Sequence, residues 1–398
     1  MRMSKQRKGL VPELRFSGFS EQWEVKALAP YLKQHSIKVP SSTELDVFSS
    51  TREGLKSQNE YFDGSNLTNK GEYGVVPEGY FVYRHMSDDN IFKFNINKLG
   101  KQIAVSKEYP VFKTQNLDPG FLLNVLNEGR AFKAFAASQK KGGTRTRLYF
   151  KTLGTFELPL PSPKEQQKIA DCLASIDELI TLHTKKLGAL KAHTKGLMQQ
   201  LFPTARENVP KLRFPEFRGK EDWIDTVLAD LCEMQAGKFV KASEICELRT
   251  EGLYPCYGGN GLRGFTKTYT HDGTYSLIGR QGALCGNVTL VGNKFHATEH
   301  AVVVTPKEGV RTDWLYFLLI YLELNRYATG QAQPGLSVEN LNKVELKFTS
   351  LEEEQRKIAS LLSTSQELID NQILKIEQLR THKKGLMQKL FPAMDEVK

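Results

Sequence analysis

A run of basic residues is the sharpest chemical signal in the first half of the chain. Between residues 130 and 156 there is no Asp or Glu, and the cations are Arg130, Lys133, Lys140, Lys141, Arg145, Arg147 and Lys151. Gly142 and Gly143 within this run let the backbone approach a phosphate closely, and arginine is the usual bidentate partner of guanine in the major groove. The pattern predicts nucleic-acid contacts, with a solvated basic loop as the alternative, at Lys140, Lys141, Gly142, Gly143, Arg145 and Arg147.

The second half offers a different set of polar side chains among glycines. The candidates for contact with base edges are Asn260, Arg263, Lys267, Arg280 and Gln281. The surface of a β-hairpin explains them equally well. Residues 330–335 read Gly-Gln-Ala-Gln-Pro-Gly and correspond to the place of Gly142–Gly143 before a helix. Because glutamine pairs with adenine through two hydrogen bonds, Gln331 and Gln333 are added to the predicted nucleic-acid contacts.

No residue constellation predicts catalysis or metal binding. Residues 259–264 fit G-x-G-x-x-G, but Pro255 interrupts a preceding strand and the residues that follow look like a strand rather than a helix. His296 and His300 have i, i+4 spacing without the neighbouring Glu of a zinc helix. The sequence contains neither a phosphate-binding P-loop motif nor the Pro-Pro of an adenine methyltransferase turn. We therefore predict no catalytic residue and no metal ligand.

Charge and cysteine content set the broad class. Lys and Arg (55) exceed Asp and Glu (45), which gives a net charge of +10 and a pI near 9.1. This balance favours a polyanionic partner. The cysteines show no C-x-x-C spacing, which indicates reduced cytosolic thiols. The basic N-terminus lacks the apolar core of a signal peptide, and no apolar stretch reaches the roughly 20 residues of a membrane span. We expect a cytoplasmic protein with a basic arm at 1–10.

An internal repeat organises the chain. Val-Pro-Glu-Leu-Arg-Phe at 11–16 recurs as Val-Pro-Lys-Leu-Arg-Phe at 209–214. Residues 169–203 align without gaps to 358–392, and the ends of these segments, 193–203 and 382–392, are identical at nine of eleven positions. Residues 25–155 and 225–345, in contrast, show little likeness. A duplicated frame with unlike inserts suggests one task performed on two different targets.

Each repeat ends in a predicted long helix. Apolar residues recur at spacings of four and three, which favours a left-handed coiled coil between the two helices. Pro163 suits a helix start, Pro203 and Pro392 mark the stops, and about 38 residues give a rod of roughly 57 Å. An amphipathic helix packed on a globular core is the alternative. The predicted pairing seam consists of Ile169, Leu173, Ile176, Ile180, Leu187, Leu190, Leu197 and Leu201 in the first helix and Ile358, Leu362, Ile369, Ile376, Leu379, Leu386 and Leu390 in the second.

The fold class that follows is α+β with an internal pseudo-twofold repeat. Turn clusters flank short β-favouring runs between the repeat anchors, so each insert is predicted to be a mixed α/β domain followed by its long helix. The predicted boundaries are an arm at 1–10, a first domain at 11–160, a first spacer helix at 161–203, a second domain at 204–350, a second spacer helix at 351–392 and a tail at 393–398.

The repeat tails carry a family resemblance. Each tail ends Lys-Gly-Leu-Met-Gln-x-Leu-Phe-Pro, and the segments at the entry of each helix, 158–170 and 351–359, share Glu-Gln-x-Lys-Ile-Ala. Both features resemble the specificity subunits of type I restriction–modification enzymes. Similar stretches occur in the inserts at 73–83, 254–261 and 277–287. The likeness covers nearly the whole chain.

The resemblance implies two target recognition domains, each reading half of a bipartite, gapped, asymmetric DNA site, held apart by an antiparallel helical pair. It also implies two methyltransferase subunits and restriction subunits as partners. S-adenosylmethionine, Mg²⁺ and ATP are then expected on those partners, with no cofactor on this chain, which would not be an enzyme itself. A stand-alone bipartite DNA-binding protein and a coiled-coil scaffold without DNA contact are the rival readings.

Overall fold

The structure is a computed structural model, and it describes residues 10–61, 71–282, 284–330 and 334–392. The predicted arm at 1–10, apart from Leu10, and the tail at 393–398 lie outside the described residues, as do Gln331 and Gln333. The chain divides into two compact units, residues 1–183 with 375–398 and residues 184–374. Each unit is described separately below.

In the first unit, short strands come first and helices later. The strands are β1 (Glu24–Ala27), β2 (Leu32–His35), β3 (Lys38–Pro40), β4 (Phe48–Thr51), β5 (Gly54–Ser57), β6 (Glu72–Val76), β7 (Phe81–Tyr83), β8 (Met86–Ser87), β9 (Phe94–Ile96), β10 (Ile103–Ser106), β11 (Val111–Thr114), β12 (Thr146–Arg147) and β13 (Glu157–Leu160). The helices are α1 (Gln58–Tyr61), α2 (Pro119–Glu128), α3 (Arg130–Ser138), α4 (Phe150–Gly154) and the first part of α5 (Pro163–Leu201), whose residues from 184 onward belong to the second unit, with a 3-10 turn at Ala29–Tyr31.

Two sheets of the first unit, β2-β11-β7-β9 and β10-β6-β3, surround apolar side chains. The larger core packs aromatic rings such as Phe81 on Phe112, whose centroids are 4.8 Å apart. Capping residues define both ends of α2. Asp118 caps its start by accepting a hydrogen bond from the Phe121 amide at 2.7 Å. Gly129 then ends the helix where a Cβ would lie 2.4 Å from the Val125 carbonyl oxygen.

The second unit has the same general composition with a different order of strands. The strands are β14 (Ile224–Val227), β15 (Cys232–Ala236), β16 (Tyr254–Gly258), β17 (Gly261–Thr266), β18 (His271–Asp272), β19 (Tyr275–Gly279), β20 (Val288–Val291), β21 (Lys294–Ala297), β22 (Ala301–Pro306) and β23 (Glu345–Phe348). The helices are α6 (Leu228–Leu231), α7 (Thr312–Tyr321), α8 (Val338–Asn342) and the first part of α9 (Glu352–Leu390), whose residues from 375 onward belong to the first unit, with 3-10 turns at Pro215–Phe217, Ala242–Glu244 and Leu324–Tyr327. The sheets are β15-β22-β19-β20 and β17-β16-β21-β18.

The hexapeptide repeat docks in the same way in each unit. The Leu14 amide donates to the Lys389 carbonyl at 2.9 Å, and the Leu212 amide donates to the Gln200 carbonyl at 2.9 Å. Gln200 and Lys389 are separated by the repeat offset of 189. Each hexapeptide therefore packs on the end of the long helix that belongs to the other repeat.

An arginine of each hexapeptide, half-buried in the first unit and buried in the second, reaches the start of the long helix of its own repeat. Arg15 makes two hydrogen bonds of 2.8 and 2.9 Å to Glu165, and Arg213 makes two of 2.8 and 3.0 Å to Glu354. Glu165 and Glu354 are almost completely buried. Strand β1 pairs antiparallel with β13 in the first unit, and β14 pairs antiparallel with β23 in the second. We call the hexapeptide, its arginine–glutamate pair and this strand pair the frame of each unit. The frame is thus duplicated in its hydrogen bonds as well as in its sequence.

The long helices α5 and α9 each have 39 residues, close to the predicted length, and α5 begins at the predicted Pro163. Both contribute to the core of each unit. Ile169 and Leu173 lie with Met387 and Leu390 in the first core, while Met198 and Leu201 lie with Ile358 and Leu362 in the second. Every apolar seam position named above is buried or half-buried, whereas four leucines off the seam are exposed, namely Leu179, Leu182, Leu368 and Leu374.

Candidate nucleic-acid interface

In the second unit, strand pairing brings several loops to one edge of the sheets. The ends of β15 and β19 both meet the start of β22, as Ala236 pairs with Val302 and Gly279 with Ala301. β16 runs parallel to β21, so the turn at 258–261 emerges beside the connection at 298–300. The other end of β22 lies beside α6, where the Lys307 amide donates to the Leu231 carbonyl. We call the four loops at 237–241, 258–261, 280–282 and 298–300 the loop edge.

Backbone hydrogen bonds fix these loops to one another. The bonds are Gly237 N to Ala301 O (2.9 Å), Lys238 N to Ala297 O (2.8 Å), Thr298 N to Tyr257 O (2.9 Å), Arg280 N to His300 O (3.0 Å), Gly282 N to Pro334 O (3.0 Å) and Leu336 N to Arg280 O (2.9 Å). Because loops held by many backbone hydrogen bonds lose little freedom on binding, such an edge presents side chains in a preorganised arrangement.

Glycine is required at two of the close approaches. A Cβ at Gly279 would lie 2.1 Å from the Gly259 carbonyl oxygen, and one at Gly237 would lie 2.3 Å from the Ala297 carbonyl oxygen. These distances are far inside van der Waals contact, so the loops reach each other only through bare backbone. The glycines of this region therefore allow the loops to approach one another closely. The G-x-G-x-x-G match at 259–264 does not precede a helix, because residues 261–266 form strand β17.

The structure brings together most of the predicted residues of the second half. Asn260, Arg263 and Gln281 are exposed at or beside the loop edge. Arg280 is half-buried, and its guanidinium donates to the Leu336 carbonyl at 3.3 Å. Lys267 lies beyond the far end of β17 and is not part of the cluster. Sequence reasoning missed other edge residues, namely Lys238, Phe239, Lys241, Glu299 and His300. The Gly-Lys-Phe-Val-Lys stretch at 237–241 was the only local signal for the first three.

In the first unit, the basic run is not a single loop. Residues 130–138 form α3 and residues 150–154 form α4, which leaves 139–149 as a connection that contains the short strand β12 and is exposed at 140–145. Lys140, Lys141, Gly142 and Gly143 are exposed, and both glycines have left-handed φ values of +70° and +75°. β12 pairs with β8, which holds Arg145 and Arg147 beside the segment 84–91.

Carboxylates from segment 84–91 orient the arginines around it. Arg145 Nε lies 2.8 Å from Asp88 Oδ1, and Arg52 Nη2 lies 2.6 Å from Asp89 Oδ1. The hydrogen bond from Arg52, followed by that from Ser87, lowers the pKa of Asp89 to about 2. An acidic residue from outside the basic run thus holds Arg145, which the run alone did not indicate.

An exposed tyrosine accompanies these arginines. The ring of Tyr149 stacks on His85 with centroids 5.5 Å apart, and 55% of the tyrosine remains exposed. Burial lowers the pKa of His85, so the ring supporting Tyr149 favours its neutral form. Arginines with an exposed aromatic ring form a surface suited to a nucleic acid backbone and its bases. Tyr149 was not among the residues predicted from sequence.

The histidine pair of the second half is divided between two environments. His296 is buried, with Nδ1 3.0 Å from Thr268 Oγ1 and Nε2 3.1 Å from the Lys238 carbonyl oxygen, so both ring nitrogens have protein partners. His300 instead lies 3.2 Å from Glu299 at the loop edge. In the parts of the chain that the structure describes, no group of three or more His, Cys, Asp or Glu side chains is arranged for a metal ion.

No helix among the described residues has the length and apolar character needed to cross a membrane.

The two units share a frame and differ in their exposed loops, so the protein is a tandem duplication of one domain type. Comparison with known proteins identifies the family. The model of the type I restriction modification DNA specificity domain matches residues 91–192 and 220–379, and therefore both units. The chain belongs to the family of type I restriction–modification specificity subunits.

Similarity to individual relatives is moderate. The EcoprrI specificity subunit of Escherichia coli is 37% identical over 230 residues, which cover 57% of this chain and 56% of that protein. The MjaVIII specificity subunit of Methanocaldococcus jannaschii is 26% identical over 305 residues, covering 67% of this chain and 68% of that protein. The match thus spans little more than half the length of the first of these relatives.

Solved structures share the fold. A crystal structure of a type I restriction–modification system S subunit from M. genitalium superposes with a TM-score of 0.65 at 15% identity, covering 97% of this chain and 100% of that one. A chain from a structural study of complex assembly and conformational transition in the type I system gives a TM-score of 0.54 at 16% identity, covering 94% and 99%. At these identities the likeness describes the architecture, which is mixed α/β with a duplicated specificity domain.

Proposed function

We propose that this chain recognises a bipartite, gapped and asymmetric DNA target, with each unit reading one half. The observation that carries the proposal is the duplicated frame. The same arginine–glutamate pair and the same strand pairing recur in both units, while the exposed loops built on them differ. A common frame with different edge chemistry is what two related domains need in order to read two unrelated half-sites.

The polar groups of the two units support different base preferences. The first unit offers Arg145 and Arg147, whose forked guanidinium groups match guanine O6 and N7. The second offers Asn260 and Gln281, whose amides match adenine N6 and N7, together with Arg263. Because the two sets of donors and acceptors differ, the two half-sites should differ, and the complete target should lack symmetry.

We further propose that α5 and α9 pair antiparallel as a spacer. Within the first unit the early part of α5 packs with the late part of α9, and Lys383 Nζ lies 2.7 Å from Asp177. Within the second unit the late part of α5 packs with the early part of α9. Opposite ends of the two helices are therefore neighbours in both cores, as an antiparallel pair requires. Thr194 and Gln372 continue the same spacing of four and three at polar positions of the two helices; both are buried and would fix the register.

Two equivalent grooves support docking of two copies of one partner. The groove of the first unit is lined in part by Arg380, Lys384 and Met387, and that of the second by Lys191, Lys195 and Met198. Each pair of matching residues is separated by 189 positions. We propose that two methyltransferase subunits dock on this repeated frame and that restriction subunits complete the assembly. S-adenosylmethionine, Mg²⁺ and ATP would then act on those partners, and this chain would contribute recognition without catalysis.

Reconstitution with a partner tests the proposal. The chain purified alone should transfer no methyl group to DNA, and the methyltransferase subunit alone should show no sequence preference. The two together should methylate adenine at a gapped, asymmetric sequence, detected by sequencing methylated bases in a random plasmid library. Sequence-specific binding that persists with no partner recruited would favour a stand-alone DNA-binding protein. Absence of any DNA binding would favour the scaffold alternative and overturn the proposal.

A further inference from the structure

The segment after β15 places an aromatic ring in solvent at the loop edge. Phe239 is 70% exposed, although the following Val240 is buried. Single exposed apolar side chains are common on protein surfaces, so exposure alone assigns no role. Three further observations concern the rigidity of this segment, its charge and its position.

Rigidity comes from both sides of the ring. The Gly237 and Lys238 amides donate to carbonyl groups of the β21–β22 region, and the Lys238 carbonyl oxygen lies 3.1 Å from His296 Nε2. Val240 anchors the other side in the protein interior. With fixed points on either side, Phe239 cannot fold back into the core without breaking these contacts. The contacts on both sides therefore keep the Phe239 ring exposed to solvent.

Charge and position point to a polyanion. Lys238 and Lys241 flank the ring and are both exposed. Strand pairing places the segment at the same edge as Asn260 and Arg263, the side chains suited to base contacts. An apolar ring between two cations, beside base-reading groups, has the composition of a DNA wedge. In such a wedge, an apolar side chain enters a base step while neighbouring cations bind the phosphates.

We propose that Phe239 is an apolar wedge that partly unstacks one base step in the half-site read by the second unit, with Lys238 and Lys241 binding the phosphates that flank it. The inference rests on the proposed DNA recognition and adds a contact to it. Because pyrimidine–purine steps such as TA and CA unstack most easily, the step should be of this kind. The wedge would thus contribute specificity at a position where no polar side chain reads a base edge.

The test uses the full-length chain with a methyltransferase partner and a duplex that this complex selects from a random library. Adenines of the half-site are replaced one at a time by 2-aminopurine, whose fluorescence rises on unstacking. The partner flips out the adenine that it methylates, so fluorescence at that position rises whatever residue 239 is. The wild-type complex should raise the fluorescence at one further step, and only this second rise should depend on Phe239. Phe239→Ser should abolish the rise and weaken binding about tenfold, whereas Phe239→Leu should keep part of both effects. Lys238→Gln and Lys241→Gln should each reduce the salt dependence of binding by about one ion.

Leu248→Ser is the matched control. Leu248 is 79% exposed in the same unit but follows Cys246, which pairs with Phe265 away from the turn at 258–261. The Leu248→Ser substitution should leave the affinity for DNA and the 2-aminopurine fluorescence unchanged. If Phe239→Ser, shown to be folded by its thermal melt, behaves like this control, the wedge is wrong while DNA recognition stands. Loss of the methyltransferase partner with unchanged DNA binding would instead assign Phe239 to a protein interface and overturn the wedge. If the wild-type complex selects no duplex, the proposed function fails as well.

Discussion

At the scale of single residues, the frame depends on two ion pairs with buried carboxylates, whose members are far apart in sequence. Arg213 and Glu354 are 7% and 1% exposed in their side chains, and Thr349 donates a further hydrogen bond to the same carboxylate. Removing one member of a buried pair leaves the other charged and unsolvated, which costs more than the pair itself contributes. The stability of the second unit should therefore respond sharply to neutralising Glu354.

Glu354→Gln is expected to lower the free energy of unfolding by about 3 kcal/mol, because it leaves the Arg213 guanidinium buried without an anion. Glu353→Gln, one residue earlier in α9, removes an exposed carboxylate paired with Arg356 and should lower the free energy of unfolding far less, because water solvates both charges. Urea unfolding followed by circular dichroism measures both. Equal effects of the two substitutions would show that the buried pair does not stabilise the frame.

Arg145 and Arg147, at and beside β12, permit a prediction about recognition. Arg145→Ala with Arg147→Ala should weaken binding at the half-site of the first unit, by about 1–3 kcal/mol at each position where a base contact is lost. A pure phosphate role would instead weaken binding to all sequences and reduce its salt dependence. Titrations of target duplexes altered in one half at two salt concentrations separate these outcomes. Unchanged affinity for every duplex at both salt concentrations would show that Arg145 and Arg147 belong to a solvated loop that does not contact DNA.

At the scale of elements, the long helices were the most predictable part of the fold. Their apolar spacing, proline boundaries and repeated ends are all local features, and α5 begins at the predicted Pro163. The basic run was less predictable, because α3 and α4 interrupt it and Asp88 comes from a distant segment. The loop edge was least predictable. It arises from strand pairing across many residues, which is why Phe239 and Glu299 gave no clear sequence signal although nearby Asn260 did.

A spacer role for the helices predicts a change in target geometry. Seven residues inserted after Lys185 and seven after Leu374 add one heptad at matched places close to the division between the units. The helices should lengthen by about 10.5 Å, which corresponds to roughly three base pairs of DNA. Those base pairs also rotate one half-site by about 100°, so reduced activity at the wider target is expected. Methylation across targets that differ only in spacer length is the measurement, and full activity solely at the original spacer would contradict the role.

At the scale of the whole molecule, each unit has its own core, its own frame and its own exposed loops. The match of the family model to both units agrees with this duplication. The repeated carboxylates Glu165 and Glu354 are buried inside their own units, whereas most of the candidate contact residues that differ are exposed. Exchange of one set of loops should therefore leave the other unit intact. Independence of the two units is the central claim of the account.

An exchange of recognition regions tests that claim most directly. Residues 25–155 are replaced by the corresponding region of another family member, with the repeated hexapeptide, α5 and the second unit left unchanged, and the methylated sites of the host genome are then sequenced. The account predicts a new sequence in one half of the target, the original sequence in the other half and the original spacer between them. A change in both halves, or the original target retained in full, would contradict independent reading by the two units.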